Sequence, residues 1–236
     1  MLAIRFIAPK GGTVLYLNGF ILVGADESGR FNLPISQYLT GGTNIIEVSS
    51  QMPGSAELTV VRINEEDPEA APVLLRPEAP VPIAPQAFWR GELELGAGGP
   101  AFTWHEAEPI DDANRWRDTL YGFLKELQGL LQSGENERLM RVLRIKHDEI
   151  AAAVGLAPTE MDQGLADGLS FKRMNPGFRI DLVSADDFDP VLSSNRRVVN
   201  MRRRDGSDAL RVIDGESDAG FTVAFIRHQA RWIVSR

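Results

Sequence analysis

The residues of this chain that could do chemistry are few and far apart. Its three histidines are His105, His147 and His228, and no spacing pairs one with another. His147 is followed by Asp148, but adjacent residues cannot share a helix face, so a dyad there needs a partner from another element. A surface or satisfied core position is expected for all three. Asp186-Asp187-Phe188-Asp189-Pro190 places three carboxylates in four residues, a set of hard oxygen ligands. It lacks the glycine and the distant bidentate glutamate of a calcium loop, so a solvated loop is expected. Asn18, Asp26 and Glu27 are likewise read as turn residues and not as a calcium loop. Gly96-Ala-Gly-Gly99 shares only composition with a phosphate loop, lacks Gly-Lys-Ser/Thr, and reads as flexible linker. Cysteine is absent, which removes disulfides, thiolate nucleophiles and Cys-ligated zinc. No catalytic residue, cofactor or metal is expected.

The densest charge is the run Arg196-Arg197-Val-Val-Asn-Met-Arg202-Arg203-Arg204, five arginines in nine residues on a chain of net charge −8. In a strand, Arg196, Arg202 and Arg204 project to one side and Arg197 and Arg203 to the other. Few strands bury both sets, so an exposed strand is expected, its guanidinium forks available to a partner's carboxylates. A charged edge strand that discourages aggregation is the other reading. Nucleic-acid contact is disfavoured, because aromatics are not interleaved and the chain is acidic. Aromatics gather elsewhere: Phe88, Trp89, Phe102, Trp104 and Trp116 are expected to seal a contact between two halves, with Trp89 and Trp104 as alternative anchors for a partner. The candidate partner-binding set is therefore Arg196, Arg197, Arg202, Arg203, Arg204, Trp89 and Trp104.

These side chains must be positioned by two regions of different character. Asp67–Pro85 holds six prolines in nineteen residues; proline lacks a donor and fixes φ, so this stretch reads as an extended connector. The expected organisation is a β-domain over 1–66, a Pro/Gly-rich linker over 67–110 and an α+β domain over 111–236. A hydrophobic content of 43% suffices for a core in each half. No stretch reaches the ~18 apolar residues of a membrane helix, and the first ten residues lack a secretory apolar region, so a cytoplasmic protein is expected.

In the first region, Asn18-Gly19 sits between the β-rich runs 14–17 and 20–24, the signature of a type I′ hairpin. Further turns at Asp26–Gly29, Thr40–Thr43 and Met52–Ser55 bracket strands at Asn44–Ser50 and Ala56–Asn64, giving a small antiparallel β-sandwich. Phe31–Leu39 looks like the run into a paired strand of accessory β-sandwich modules, which commonly bind sugars or proteins. In the second region, Asp111 or Asp112 caps a helix striped by Trp116, Leu120, Phe123, Leu124, Leu127, Leu130 and Leu131. Ser133-Gly134 breaks it, and Leu139, Val142, Leu143, Ile150 and Val154 mark a second helix ending at Gly155. A short third helix starts at Thr159. Beyond Gly168 the period becomes two, with strands expected at Phe178–Ser184, Arg196–Arg204, Asp208–Asp214, Gly220–Arg227 and Gln229–Ser235. The fold class is α+β: a small antiparallel β-sandwich followed by helices packed on a curved antiparallel sheet.

The long helix around Trp116–Leu131, the strand meander from Arg196, and the closing His228-Gln-Ala-Arg-Trp232-Ile-Val234 resemble the nuclear-transport-factor-2-like (NTF2-like, SnoaL-like) superfamily over residues 111–236. The resemblance implies a cone-shaped α+β domain with Trp232 packing into the cone. Enzymes of that superfamily hold Asp, His or Tyr inside it; here Arg179, Asp181 and Arg211 are the nearest polar candidates by strand position. A small sandwich joined to such a cone without an active site looks like the immunity proteins encoded beside bacterial type VI secretion toxins. This implies a non-enzymatic inhibitor that occludes a cognate toxin's active site or oligomer contacts, and its acidity would suit a nuclease with a basic cleft. The alternatives are a small-molecule-binding protein or enzyme using the cone pocket, and an adaptor of a secretion apparatus.

Overall fold

The computed structural model describes residues 1–9, 12–63, 72–83, 88–96, 102–215 and 217–236. Ala97–Gly99 of the glycine-rich run, Glu216 and much of the proline-rich stretch lie outside the described residues. The chain is α+β, with three α-helices and several antiparallel sheets among the described residues, and it divides into units spanning Met1–Ala101 and Phe102–Arg236.

In the first unit β1 (Leu2–Ala8), β2 (Thr13–Leu17), β3 (Phe20–Val23), β4 (Gly29–Pro34), β5 (Gly42–Ser50) and β6 (Gly54–Arg62) follow one another. Asn18 and Gly19 take φ of 51° and 88° between β2 and β3, the two positive values that a type I′ turn demands and that Asn-Gly adopts at least cost. Alternation decides the faces: Ile4 and Phe6 of β1, Leu15 and Leu17 of β2, Ile46 and Val48 of β5, and Leu58 and Val60 of β6 enter one core.

The connector expectation fails for three segments. β7 (Val73–Leu75), β8 (Val81–Ile83) and β9 (Phe88–Leu95) all pair, the first two with β6 and the third with β5. The sheet orders are β4-β1-β6-β7, with β8 also on β6, and β3-β2-β5-β9. Proline forbids a central strand but not an added edge, and Pro82 sits in such an edge opposite Ser55.

The second unit begins with a segment, 102–116, containing two short 3₁₀ turns, followed by α1 (Arg117–Ser133), α2 (Asn136–Val154) and α3 (Pro158–Arg173). The expected leucine stripe is the buried face of α1; full burial of each such leucine contributes about 1.5–3 kcal/mol. Asp112 does not cap α1: its carboxylate accepts from Asn114 N at 2.9 Å, in the 3₁₀ turn that precedes the helix. The third helix is longer than expected, because Gly164 and Gly168 do not stop it. Glu160, not Thr159, closes its start, accepting from Ala157 N at 2.7 Å.

The strands then form two sheets. β10 (Phe178–Leu182), β13 (Leu210–Asp214) and β14 (Asp218–Phe221) order as β10-β13-β14; β11 (Phe188–Leu192), β12 (Val198–Arg203), β15 (Ala224–His228) and β16 (Arg231–Val234) order as β11-β12-β15-β16. Two expectations are corrected. Asp186–Pro190 is not simply a solvated loop, since buried Phe188 opens β11. Gly220–Arg227 is not one strand: β14 and β15 belong to different sheets. Leucines of all three helices meet Ile180, Phe188, Val199, Met201, Leu210 and Phe225 in one core.

Candidate functional site

The arginine run does not form an exposed strand. β12 is paired on both sides, by β11 and β15, and every residue from Val198 to Arg202 is buried. Arg202, 3% exposed, places Nη1 2.6 Å from Asp208 Oδ1. Arg203 reaches Asp181 at 2.7 Å and donates through Nε to the Asp208 carbonyl at 3.1 Å.

The two arginines before the strand hold the entering segment. Arg197 Nη1 donates to the carbonyls of His105 and Ala107 at 3.0 and 2.5 Å, while Arg196 reaches the Ile110 carbonyl and the Asp111 carboxylate at 3.3 and 3.0 Å. Only Arg204 of the five has a guanidinium without a hydrogen bond or ion pair among the described residues, and it is exposed. Sequence reasoning counted arginines but could not see the carbonyls and carboxylates waiting for four of them.

The aromatic candidates also pack. Trp89 lies against the first unit's core and over Gly91, where a Cβ would strike its ring. Trp104 is buried in the second unit beside Phe102 and edge-on to His105.

Lys146, Glu149 and Arg236, ionisable groups that sequence reasoning missed, cluster with His105 under this segment. Glu149 of α2 is buried; it accepts from Thr103 N at 2.5 Å and from Arg236 Nη1 at 2.7 Å. The Arg236 guanidinium lies 4.9 Å from the Phe102 ring. His105, whose buried Nε2 has no hydrogen-bond partner among the described residues, has its pKa lowered by burial, against the opposing pull of Glu149. Lys146 lies over the Phe221 ring at 5.3 Å; removal from water, reinforced by Arg236, pushes its pKa down to about 8.

His147 finds the partner that Asp148 could not be. Its Nδ1 lies 2.6 Å from Asp162 of α3, which also takes Arg144 at 2.7 Å. Burial of Asp162 is outweighed by these hydrogen bonds, and its carboxyl is held below the usual range. The pair clamps α2 to α3, as a satisfied core histidine does.

Of the polar residues the resemblance placed in a cone, Arg179 is exposed, Asp181 pairs with Arg203 and Arg211 pairs with Asp218 at 2.7 Å. The carboxylates of Asp186–Asp189 form no metal-holding group, nor do any three among the described residues. Glu27 accepts from Gly24 N at 2.6 Å, as a turn residue should.

The second unit carries an apolar concavity among its described residues. A groove of about 280 Å³ runs between Phe123 and Leu127 of α1, Val142 and Ile145 of α2, and Phe225 and Trp232 of the β15–β16 hairpin, with Glu126 and Arg141 as its charged members. Trp232 faces Trp116 edge-on at 5.7 Å, and Arg227 covers Trp116 at 4.8 Å, fixing that wall. The i, i+3 spacing of Val142 and Ile145 was the available signal; the exposure of Val142 and the partial cover of Phe123, Ile145 and Trp232 distinguish the groove from ordinary core. None of His105, Lys146, Glu149 or Arg236 lines the groove. Its walls can bury an apolar side chain and offer little acid-base chemistry. No protein-family model, curated protein or solved structure matches the chain.

Proposed function

We propose that this is a non-enzymatic binding protein that acts by presenting a preformed surface to a protein partner, in the manner of an immunity protein neutralising a cognate type VI secretion toxin. In this reading the first unit is a β-sandwich and the second an NTF2-like cone. One observation carries it: the groove of the second unit is walled by aliphatic and aromatic side chains, while the nearby Glu149–Arg236 and His147–Asp162 pairs are engaged with each other and do not line it. An apolar anchor of the partner fits such walls, and interface energy concentrates in such pockets. Net acidity favours a basic partner, among them a nuclease, whose active site the bound protein would cover.

The test is co-purification with the product of an adjacent toxin gene, together with protection of cells that express it. Val142→Glu puts a charge on the partly exposed wall and is expected to weaken the complex at least ~30-fold, with the fold retained. A complex indifferent to Val142→Glu, or no complex and no protection, refutes the reading.

The groove's volume and its Trp232 wall favour a second reading, an NTF2-like carrier of a small apolar molecule. Quenching of tryptophan emission by an apolar ligand, lost in Val142→Glu without any effect of the toxin, would select it.

A further inference from the structure

The groove of the second unit has walls of one kind and an edge of another. Phe123, Leu127, Val142, Ile145 and Trp232 give it aliphatic and aromatic sides, against which a hydrocarbon leaves water favourably. Its two charged members are not equivalent. The Glu126 carboxylate is answered by Arg138 at 3.1 Å. Arg141 is exposed and has no carboxylate among the described residues: its Nε reaches only the Glu137 carbonyl, at a long 3.4 Å, and its two terminal nitrogens have no partner there. The Glu137 side chain, one turn earlier on α2, forms no ion pair with it.

The other arginines of α2 make that difference informative. Arg138 pairs with Glu126, and Arg144 pairs with Asp162 at 2.7 Å and Asp148 at 3.5 Å. Acidic side chains outnumber basic ones by 33 to 25 in this chain, yet the arginine of α2 that lines the groove is the one left unanswered. The groove therefore joins apolar walls to a free guanidinium fork at its solvent edge, and its unanswered charge is positive.

These two features together select an amphiphile with an anionic head. A planar guanidinium presents two parallel N–H donors that fit a carboxylate, and beside an apolar wall the pair is screened less than in open water. Volume limits the tail. At about 280 Å³ the groove has roughly twice the volume of the ~150 Å³ cavity that takes benzene, so about a dozen heavy atoms fill it. A fatty acid of about ten carbons has that size, and its carboxylate can stay at the edge beside Arg141.

We propose that the groove binds a medium-chain fatty acid, its chain lying against Phe123, Val142, Ile145 and Trp232 and its carboxylate held by Arg141. This rests on the reading of the groove as a carrier site for a small apolar molecule, and adds to it the head group and the chain length.

The test is isothermal titration calorimetry of the full chain with hexanoate, octanoate, decanoate and dodecanoate, each below its micellar concentration. Affinity is expected to rise about 4-fold per methylene and to level off near ten carbons. Decanol supplies the same tail with a neutral head. Arg141→Gln should weaken decanoate at least ~5-fold and change decanol less than ~2-fold, and added salt should weaken decanoate but not decanol. Val142→Glu should remove the binding of both. Decanoate binding indifferent to Arg141→Gln, or an equal loss of decanol in that variant, overturns the proposal and leaves an apolar carrier standing. Affinity that does not grow with chain length overturns it as well. If the wild type binds neither decanoate nor decanol, the proposal and the carrier reading fall together.

Discussion

β12 carries arginine beside arginine and is buried, whereas α3 carries glycine and phenylalanine on its outer face and is exposed. Sequence composition suggests the reverse. The difference lies in neighbours: β12 is flanked by strands on both edges and covered on its faces, so a charge there must meet a counter-charge inside the fold. Helix α3 packs through Leu169, with Leu165 and Ala166 beside it, and its far side is released from any demand of the core. Charge density along a strand therefore says nothing about exposure until the strand's place in the sheet is known.

The sharpest way to break this comparison is to remove the buried charge. Arg202→Met keeps apolar bulk but takes the guanidinium away from Asp208 Oδ1; the Thr222 hydroxyl, 3.4 Å from the other oxygen, is a weak substitute. Breaking one side of a buried pair typically costs about 3 kcal/mol. The urea midpoint should fall accordingly, with the slope unchanged. A loss below about 1 kcal/mol would mean that β12 is not the buried, charge-neutralised strand described.

Lys146 extends the contrast to a cation with no carboxylate partner among the described residues, resting on Phe221. Its folded pKa lies near 8 against an unfolded value of 10.5. Between those values the unfolded chain binds more protons, so this group's contribution makes stability rise with pH across that window. At neutral pH the lysine is still charged in the folded chain and bears the penalty of its removal from water. Lys146→Met should raise stability at pH 7 by about 1 kcal/mol, allowing for the residue's partial exposure. It should also flatten the stability profile between pH 8 and 10.5 relative to wild type. An unchanged profile would show that solvent reaches the ammonium freely.

Local rules made much of the fold legible. The Asn18-Gly19 turn, the leucine face of α1 and the Gly155 stop of α2 are consequences of backbone geometry and 3.6-residue periodicity, and they stand where expected. What depends on distant pairing did not read through. Val73–Leu75 and Phe88–Leu95 become strands only because β6 and β5 offer them an edge. The helical run past Gly168 is held by Arg173, which donates to the Leu131 carbonyl at 2.7 Å. The candidate groove was nearly illegible, since Val142, Ile145 and Trp232 differ from core residues only in how incompletely they are covered. The pairs Glu149–Arg236 and His147–Asp162 join residues 87 and 15 positions apart, and no spacing rule reaches them.

The smallest expected effect tests the comparison from inside the arginine run itself. Arg204 follows Arg203 directly, but its guanidinium is exposed and pairs with nothing among the described residues; its structural role passes through the backbone, where Arg204 N donates to the Asp187 carbonyl at 2.9 Å. Arg204→Ala leaves that bond in place, so stability should change by no more than about 0.5 kcal/mol. Of the five arginines it is therefore the one able to meet a partner's carboxylate without first abandoning a contact in its own fold. If it does so at the rim of a complex, Arg204→Ala should slow association and reduce its salt dependence, with little change in dissociation. A loss of stability comparable to that of Arg202→Met would place Arg204 among the structural arginines, and the distinction between buried and free charge in this run would collapse.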